Sequence, residues 1–301
     1  MKNLIKEYVD SVNSIFVTGE TTEHSFRGDL VTLLKALRPK SVKNKQEIEV
    51  INEAKRKTYG APDLEIRKGD VIISFIETKD IDDKDLRGIN EKSHKEQFDR
   101  YKKAIDTIAF TDYLEFVLFE KGKETISARI ARRVGNNIVL TEDEEQIVKF
   151  GAIIKRLFEA SAEPIRSAKV LTETLAAKAK FISSILQTAM KNNKTREDKE
   201  LHIKLNAFQK FLVHDMTEEQ FVDFYAQTIV YGMFIARIYD DTPKNFSLLE
   251  AADLIPKTNP FLKRIFKLLA LADLHTGIKW IVDELVEIFR VTNMEKLLRK
   301  F

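Results

Sequence analysis

The apolar positions in the first half of the chain change period several times. In "TTEHSFRGDLVTLLKAL", Phe26, Leu30, Leu33, Leu34 and Leu37 recur at helical spacing. This predicts an amphipathic helix capped by Thr21 or Thr22 and closed by Pro39. "EVINEAKRKTYG" reads as extended. "DLEIRKGDVIISFIETK" predicts a strand, a turn at Lys68-Gly69-Asp70 and a second strand rich in Val, Ile and Phe. "SHKEQFDRYKKAIDTIAF" begins as a helix and runs into "YLEFVLFEKGKETISARI", which predicts two strands around a Lys121-Gly122-Lys123 turn. Helix, strands, helix, strands is the order of a mixed α/β domain.

After about Leu140 the apolar residues keep to a 3–4 period over long runs. Three capping-box patterns open such runs: Thr141 to Glu144, Thr217 to Gln220 and Ser247 to Glu250. Breakers cluster at Pro164, "KNNKTRED", "DDTPKN" and "PKTNP". The second half is therefore predicted to be all helical. The boundary is placed in "RVGNNIVLTEDE", giving residues 1–140 and 141–301. Phe221, Phe224, Tyr225, Tyr231 and Phe234 share helical spacing and are expected in a core. His202, His214 and His275 show no metal-ligand spacing, and Trp280 is expected in the core or at a domain contact.

Composition narrows this picture. The chain has 301 residues and is 44% hydrophobic, enough for one large domain or two ordinary ones. Charged residues make up 32% but leave a net charge of only +3, so a nucleic-acid partner would have to be met by locally gathered cations. The absence of cysteine excludes disulfide scaffolds, Cys-ligated zinc and thiol catalysis. "MKNLIKEYVDSVN" is too charged for a signal-peptide core, and no apolar run reaches the roughly 18–20 residues of a membrane span. A cytoplasmic protein without a membrane partner is expected.

One stretch carries chemistry. In "APDLEIRKGDVIISFIETKD", Glu77 and Lys79 stand at the end of an apolar strand. Residues two apart on a strand share a face, so Val71, Ile73, Phe75, Glu77 and Lys79 look one way, and Ile72, Ile76 and Thr78 the other. Both faces begin apolar, which predicts a central strand. A buried carboxylate there needs a partner, either Lys79 or a metal ion. A hairpin turning at Gly69 would return Asp63 beside Glu77. Two such carboxylates suit a hard divalent cation, Mg²⁺ or Mn²⁺, and an arrangement for phosphodiester hydrolysis. The plainer alternative, a solvated strand end, stays open. Gln97 and Tyr101 in "QFDRY" lie on one helical face. Glu23 stands near the start of the first long helix, where a carboxylate is also favoured by the dipole.

Taken in order, Glu23, Pro62-Asp63, Glu77-Thr78-Lys79 and Gln97 to Tyr101 resemble the PD-(D/E)xK nuclease superfamily. "TTEHSFRGDLVTLL", "FIETKDI", "QFDRYKKAI" and "FTDYLEFVLF" are similar to the N-terminal nuclease segment of single-chain Type IIG and Type ISP restriction–modification enzymes. "FYAQTIVYGMFIARI" and "TNPFLKRIF" resemble the helical connector that follows it. The resemblance implies a restriction-endonuclease-like α/β domain followed by an all-α domain, and Mg²⁺-dependent cleavage of double-stranded DNA. Asp63 and Glu77 would bind Mg²⁺, with Mn²⁺ as a substitute. Lys79 would serve the attacking water, Glu23 would assist at the metal, and Gln97 and Tyr101 would support the site or contact the DNA backbone. Thr78 stands where an apolar residue is usual and is expected to matter little.

An N6-adenine methyltransferase and a target-recognition domain would follow in such enzymes, in cis or in trans. "NPF" at Asn259 lacks the second proline of a methyltransferase motif and reads as a helix cap with an apolar anchor. Cations expected to meet DNA are Lys43, Lys45, Lys55, Arg56, Lys57, Arg129, Arg132, Arg133 and those of a polar, mobile loop over residues 80–95. The alternative from another class is a non-catalytic module that keeps the nuclease fold and docks on a methyltransferase partner.

Overall fold

The structure, a computed structural model, describes residues 1–22, 24–39, 47–52, 62–69, 71–89, 94–161, 164–271 and 274–298. They form two compact units, one up to Ser161 and one from Pro164 onward.

The first unit is α/β. Helices α1 (Lys2–Phe16) and α2 (Arg27–Leu37) precede strands β1 (Ile48–Asn52), β2 (Leu64–Lys68) and β3 (Val71–Thr78). Helix α3 (Lys95–Ala104) leads to β4 (Thr107–Thr111), β5 (Glu115–Glu120) and β6 (Lys123–Arg129). These six strands make one sheet in chain order. β3 and β4 pair in parallel, and the other neighbours are antiparallel. A β7 (Ala131–Val134) and β8 (Asn137–Leu140) ribbon follows, then α4 (Glu144–Glu159). Both expected hairpins are present. Gly69 takes φ +61°, and the second turn places Lys121 and Gly122 at φ +51° and +75°, a region open to glycine and costly for lysine.

Helices cover both faces of the sheet. Leu64, Ile66, Ile76, Ala109, Phe116 and Leu118 share a core with α1, α2 and α4. On the opposite face, Phe98 of α3 stacks on Phe110, which meets Phe119 edge-on. Helix α2 starts later than expected. Thr21 and Thr22 do not cap it. His24 to Phe26 form a turn, and Arg27 opens the helix. Its end agrees, with Arg38 extended (ψ 144°) as a residue before proline must be.

The compact unit runs to Ser161 rather than Leu140. Phe150, Ile153, Ile154, Leu157 and Phe158 of α4 lie in the sheet's core, and Ser74 on β3 donates to the Leu157 carbonyl at 2.7 Å. Helical periodicity marked α4 as the start of a helical domain, yet its apolar face is the sheet's cover. Its cap is Asp143, whose side chain accepts from the Glu145 N–H, and not Thr141.

The second unit is helical throughout its described residues: α5 (Ala168–Asn192), α6 (Arg196–Phe211), α7 (Glu218–Ile238), α8 (Leu248–Leu254), α9 (Pro260–Phe266), α10 (Thr276–Val291) and α11 (Met294–Leu298). Thr217 and Gln220 form the reciprocal box expected at α7. A second box, Thr195 with Asp198, opens α6 inside the stretch taken as a breaker. Ser247 caps α8, and Asn259 caps α9. Phe221 and Tyr225 are fully buried, whereas Tyr231 is exposed, as is Phe261, the residue expected to anchor "NPF". Trp280 is buried edge-on against Phe181. His275 is buried against Asp198 at 3.1 Å. No described helix is long and apolar enough to cross a membrane.

Candidate active site

The carboxyl end of β3 lies between β2 and β4, inside the sheet. Leu64 pairs with Ile76, so Asp63 stands one step beyond the ladder, level with Glu77. Glu77, Thr78 and Lys79 are all buried, with exposures of 1%, 0% and 5%. This removes the solvated-strand-end alternative. The two faces of β3 then carry two polar groups.

On the α3 face, Lys79 Nζ donates to Glu77 Oε1 at 2.8 Å and to Gln97 Oε1 at 3.2 Å. Gln97 Nε2 donates to Glu77 Oε1 at 2.9 Å and to the Tyr101 hydroxyl at 3.0 Å. The four residues form one network because α3 places Gln97 and Tyr101 a single turn apart, facing the strand end. Phe98 lies beneath, with Lys79 Nζ 5.4 Å from its ring centre. Burial raises the Tyr101 phenol well above its ordinary range, followed by the negative charge of Glu77 and, less strongly, of Asp63. Tyr101 therefore stays protonated and neutral.

On the α2 face, Asp63 Oδ2 accepts from the Thr78 N–H at 2.9 Å and from the Thr78 hydroxyl at 2.6 Å. Asp63 Oδ1 pairs with Arg27 Nη2 at 2.9 Å. The Arg27 guanidinium also donates to Thr78 Oγ1, from Nε at 3.3 Å and Nη2 at 3.2 Å. Tyr113 adjoins this group, its phenol raised to about 12, chiefly by burial. It stands in the β4–β5 turn at φ +71°, where the Asp112 carboxylate accepts the Leu114 and Glu115 N–H groups at 3.0 and 2.6 Å.

Asp63 and Glu77 offer hard oxygen donors. A pair of carboxylates, completed by water and phosphate oxygens, is the donor set that Mg²⁺ takes at phosphate sites. Among the described residues, no group of three or more Asp, Glu, His or Cys side chains gathers to hold a metal. Asp63 and Glu77 would be the described residues to hold such an ion, with water and its ligand completing the shell. Protein cations already partner both carboxylates: Arg27 at Asp63 and Lys79 at Glu77.

No family model matches the sequence, and no curated protein is similar to it. A solved structure described as "cryoEM structure DrdV-DNA complex" is similar at 15% identity, with a TM-score of 0.35. The match covers 99% of this chain, which spans 28% of the length of that one.

Glu23, Lys43, Lys45, Lys55, Arg56 and Lys57 lie outside the described residues. Of the other expected cations, Arg129 pairs with Glu115, Arg133 pairs with Asp82 at 3.5 Å, and Arg132 is exposed. Of the loop expected over residues 80–95, residues 90–93, Lys92 among them, lie outside the described residues, and the 80–89 stretch makes side-chain bonds to its surroundings. Asp83 meets His94 at 3.1 Å, Arg87 bridges Glu115 and Glu124, and the Arg87 carbonyl accepts from Lys102 at 2.5 Å. Gly88 lies so close to α3 that a Cβ there would come within 2.8 Å of Phe98.

Sequence reasoning missed Arg27 and undervalued Thr78. A signal for Arg27 was present: it falls on the apolar stripe of α2 with Leu30 and Leu34, where a cation is expensive without a partner. Nothing in the spacing marked Thr78, because its role depends on where Asp63 lands.

Proposed function

We propose that this chain is the Mg²⁺-dependent endonuclease part of a restriction–modification enzyme, hydrolysing phosphodiester bonds in double-stranded DNA. The observation that carries this reading is the meeting at one buried strand end of Asp63, Glu77, Lys79, Gln97 and Tyr101, which are separated in sequence. Four charged groups, Arg27, Asp63, Glu77 and Lys79, are buried around this strand end, and each costs several kcal/mol to desolvate. Asp63 and Glu77 would hold Mg²⁺. A bound Mg²⁺ supplies Lewis-acid polarisation of a phosphate oxygen. Lys79, fixed by Glu77 and Gln97, would position the attacking water. Gln97, held in turn by Tyr101, keeps Lys79 from swinging away. Glu23 would assist at the metal. The nuclease fold, the membership of the Type IIG or Type ISP group, the helical connector role of the second unit and the partnership with an adenine methyltransferase and target-recognition domain all belong to this proposal.

The test is incubation of the purified chain with supercoiled plasmid in low salt, with Mg²⁺ or Mn²⁺, beside Asp63→Asn and Lys79→Ala proteins whose circular dichroism matches the parent. Metal-dependent nicking or linearisation, lost in both variants, is the expected result. Intact plasmid together with no Asp63-dependent metal binding by calorimetry would overturn the reading.

One observation favours a second reading. Each carboxylate already has a protein cation beside it, Arg27 at Asp63 and Lys79 at Glu77. A non-catalytic module that docks on a methyltransferase partner would show this closed set permanently, and would bind no divalent ion.

A further inference from the structure

Arg27 occupies the carboxylate that a metal would need. Asp63 is 1% exposed and Arg27 5%, so the pair is shielded from solvent. Both Asp63 oxygens are engaged, Oδ1 by Arg27 Nη2 and Oδ2 by the Thr78 N–H and hydroxyl. Thr78 cannot leave, because its N–H belongs to a strand locked between β2 and β4. Arg27 is held by side-chain bonds alone: it is the first residue of α2 and reaches Asp63 and Thr78 through a chain of several single bonds. A guanidinium is also always charged, so it cannot relieve repulsion by losing a proton. A divalent ion placed on Oδ1 would face that fixed positive charge in a weakly screened site.

We infer that Arg27 is a built-in counter-cation of Asp63 that must exchange with the divalent metal. In the metal-free protein it neutralises Asp63 and holds the site closed. When the metal takes Oδ1, the guanidinium withdraws, and its planar donor fork is then available to a phosphate oxygen. This rests on the reading of Asp63 as a metal ligand.

The experiment is calorimetric titration of Mn²⁺ into the full chain and its Arg27→Met, Asp63→Asn and Arg27→Met/Asp63→Asn forms. Arg27→Met should bind Mn²⁺ at least about tenfold more tightly than the parent, and the double variant should lose that binding. The Tm of Arg27→Met should fall in chelator and return with Mn²⁺, while the parent's moves less. Equal or weaker binding by Arg27→Met, with binding in the parent still abolished by Asp63→Asn, would overturn the exchange and leave the metal site standing. No Mn²⁺ bound by any form would overturn the metal site, and the exchange with it. Should Arg27→Met fail to fold, the Arg27 Nε–H resonance of the parent, assigned by its absence in Arg27→Lys, gives the answer. It should shift as Mg²⁺ saturates the protein, and a stationary resonance at saturation would overturn the exchange.

Discussion

Thr78 holds Asp63 through two donors, its N–H and its hydroxyl, and the same hydroxyl accepts from Arg27. A single small side chain thereby fixes a carboxylate and a guanidinium that would otherwise have to find each other in a largely apolar interior. Asp112, in the neighbouring turn, shows the opposite balance. Burial raises its carboxyl to about 6, despite two backbone N–H bonds and the attraction of Arg129. A pKa above the unfolded value means that the folded state holds the proton more tightly. The contribution to stability is thus full below about pH 4 and lost as the pH rises through about 6. It amounts to roughly 3 kcal/mol across that window. Asp112→Asn should remove this slope. In urea unfolding at a series of pH values, the variant's advantage over the parent should grow between pH 4 and 7, and a constant difference would count against the assignment. At this scale the sequence showed which residues carry charge but not how they pair. Glu77 with Lys79 was readable from a two-residue spacing. Arg27 with Asp63 required knowing which helix crosses which strand end.

Helices and strands were legible where their apolar period was strong and their ends carried their own chemistry. The box at Thr217 is an example: both reciprocal bonds form, with Gln220 N donating to Thr217 Oγ1 at 3.2 Å and Thr217 N to Gln220 Oε1 at 2.9 Å. Thr217→Ala should lower stability by about 1 kcal/mol, read as an earlier thermal transition, with Thr217→Ser close to the parent. β4 was obscured because its residues follow α3 without a breaker, and a short apolar run fits a buried strand or a helix end equally well. The late start of α2 has a different cause. Thr22 and Ser25 bond to each other, Ser25 Oγ accepting from the Thr22 N–H at 2.9 Å, and so are spent on a turn before the helix begins.

The division into two units places α4 with the sheet. A fragment of residues 1–161 should unfold in one cooperative step, whereas a fragment ending at residue 143 should lack one. The shorter piece loses Phe150, Ile153, Leu157 and Phe158, four fully or almost fully buried residues, and uncovers the apolar face of the sheet. Near-ultraviolet circular dichroism and denaturant titration would separate the two outcomes. The α/β-then-helical order was legible from the change of rhythm along the chain, but the cut between units was not. A helix that covers a sheet and one that joins a bundle show the same period.

The parallel pairing of β3 with β4 also sets an order of events during folding. Hairpins such as β5–β6 close through a two-residue turn, but β4 can reach β3 only after the chain from Lys79 to Asp106 has been laid across the sheet. Closing the longer connection costs more chain entropy, so it is expected late. The β2–β3 hairpin then forms while Asp63, Glu77 and Lys79 are still hydrated. Their water is stripped only when β4 and α3 arrive, and α3 brings Gln97 and Tyr101 with it. Glu77 and Lys79 are thus expected to be sealed in as Gln97 and Tyr101 arrive, whereas Asp63 waits for Arg27 of α2.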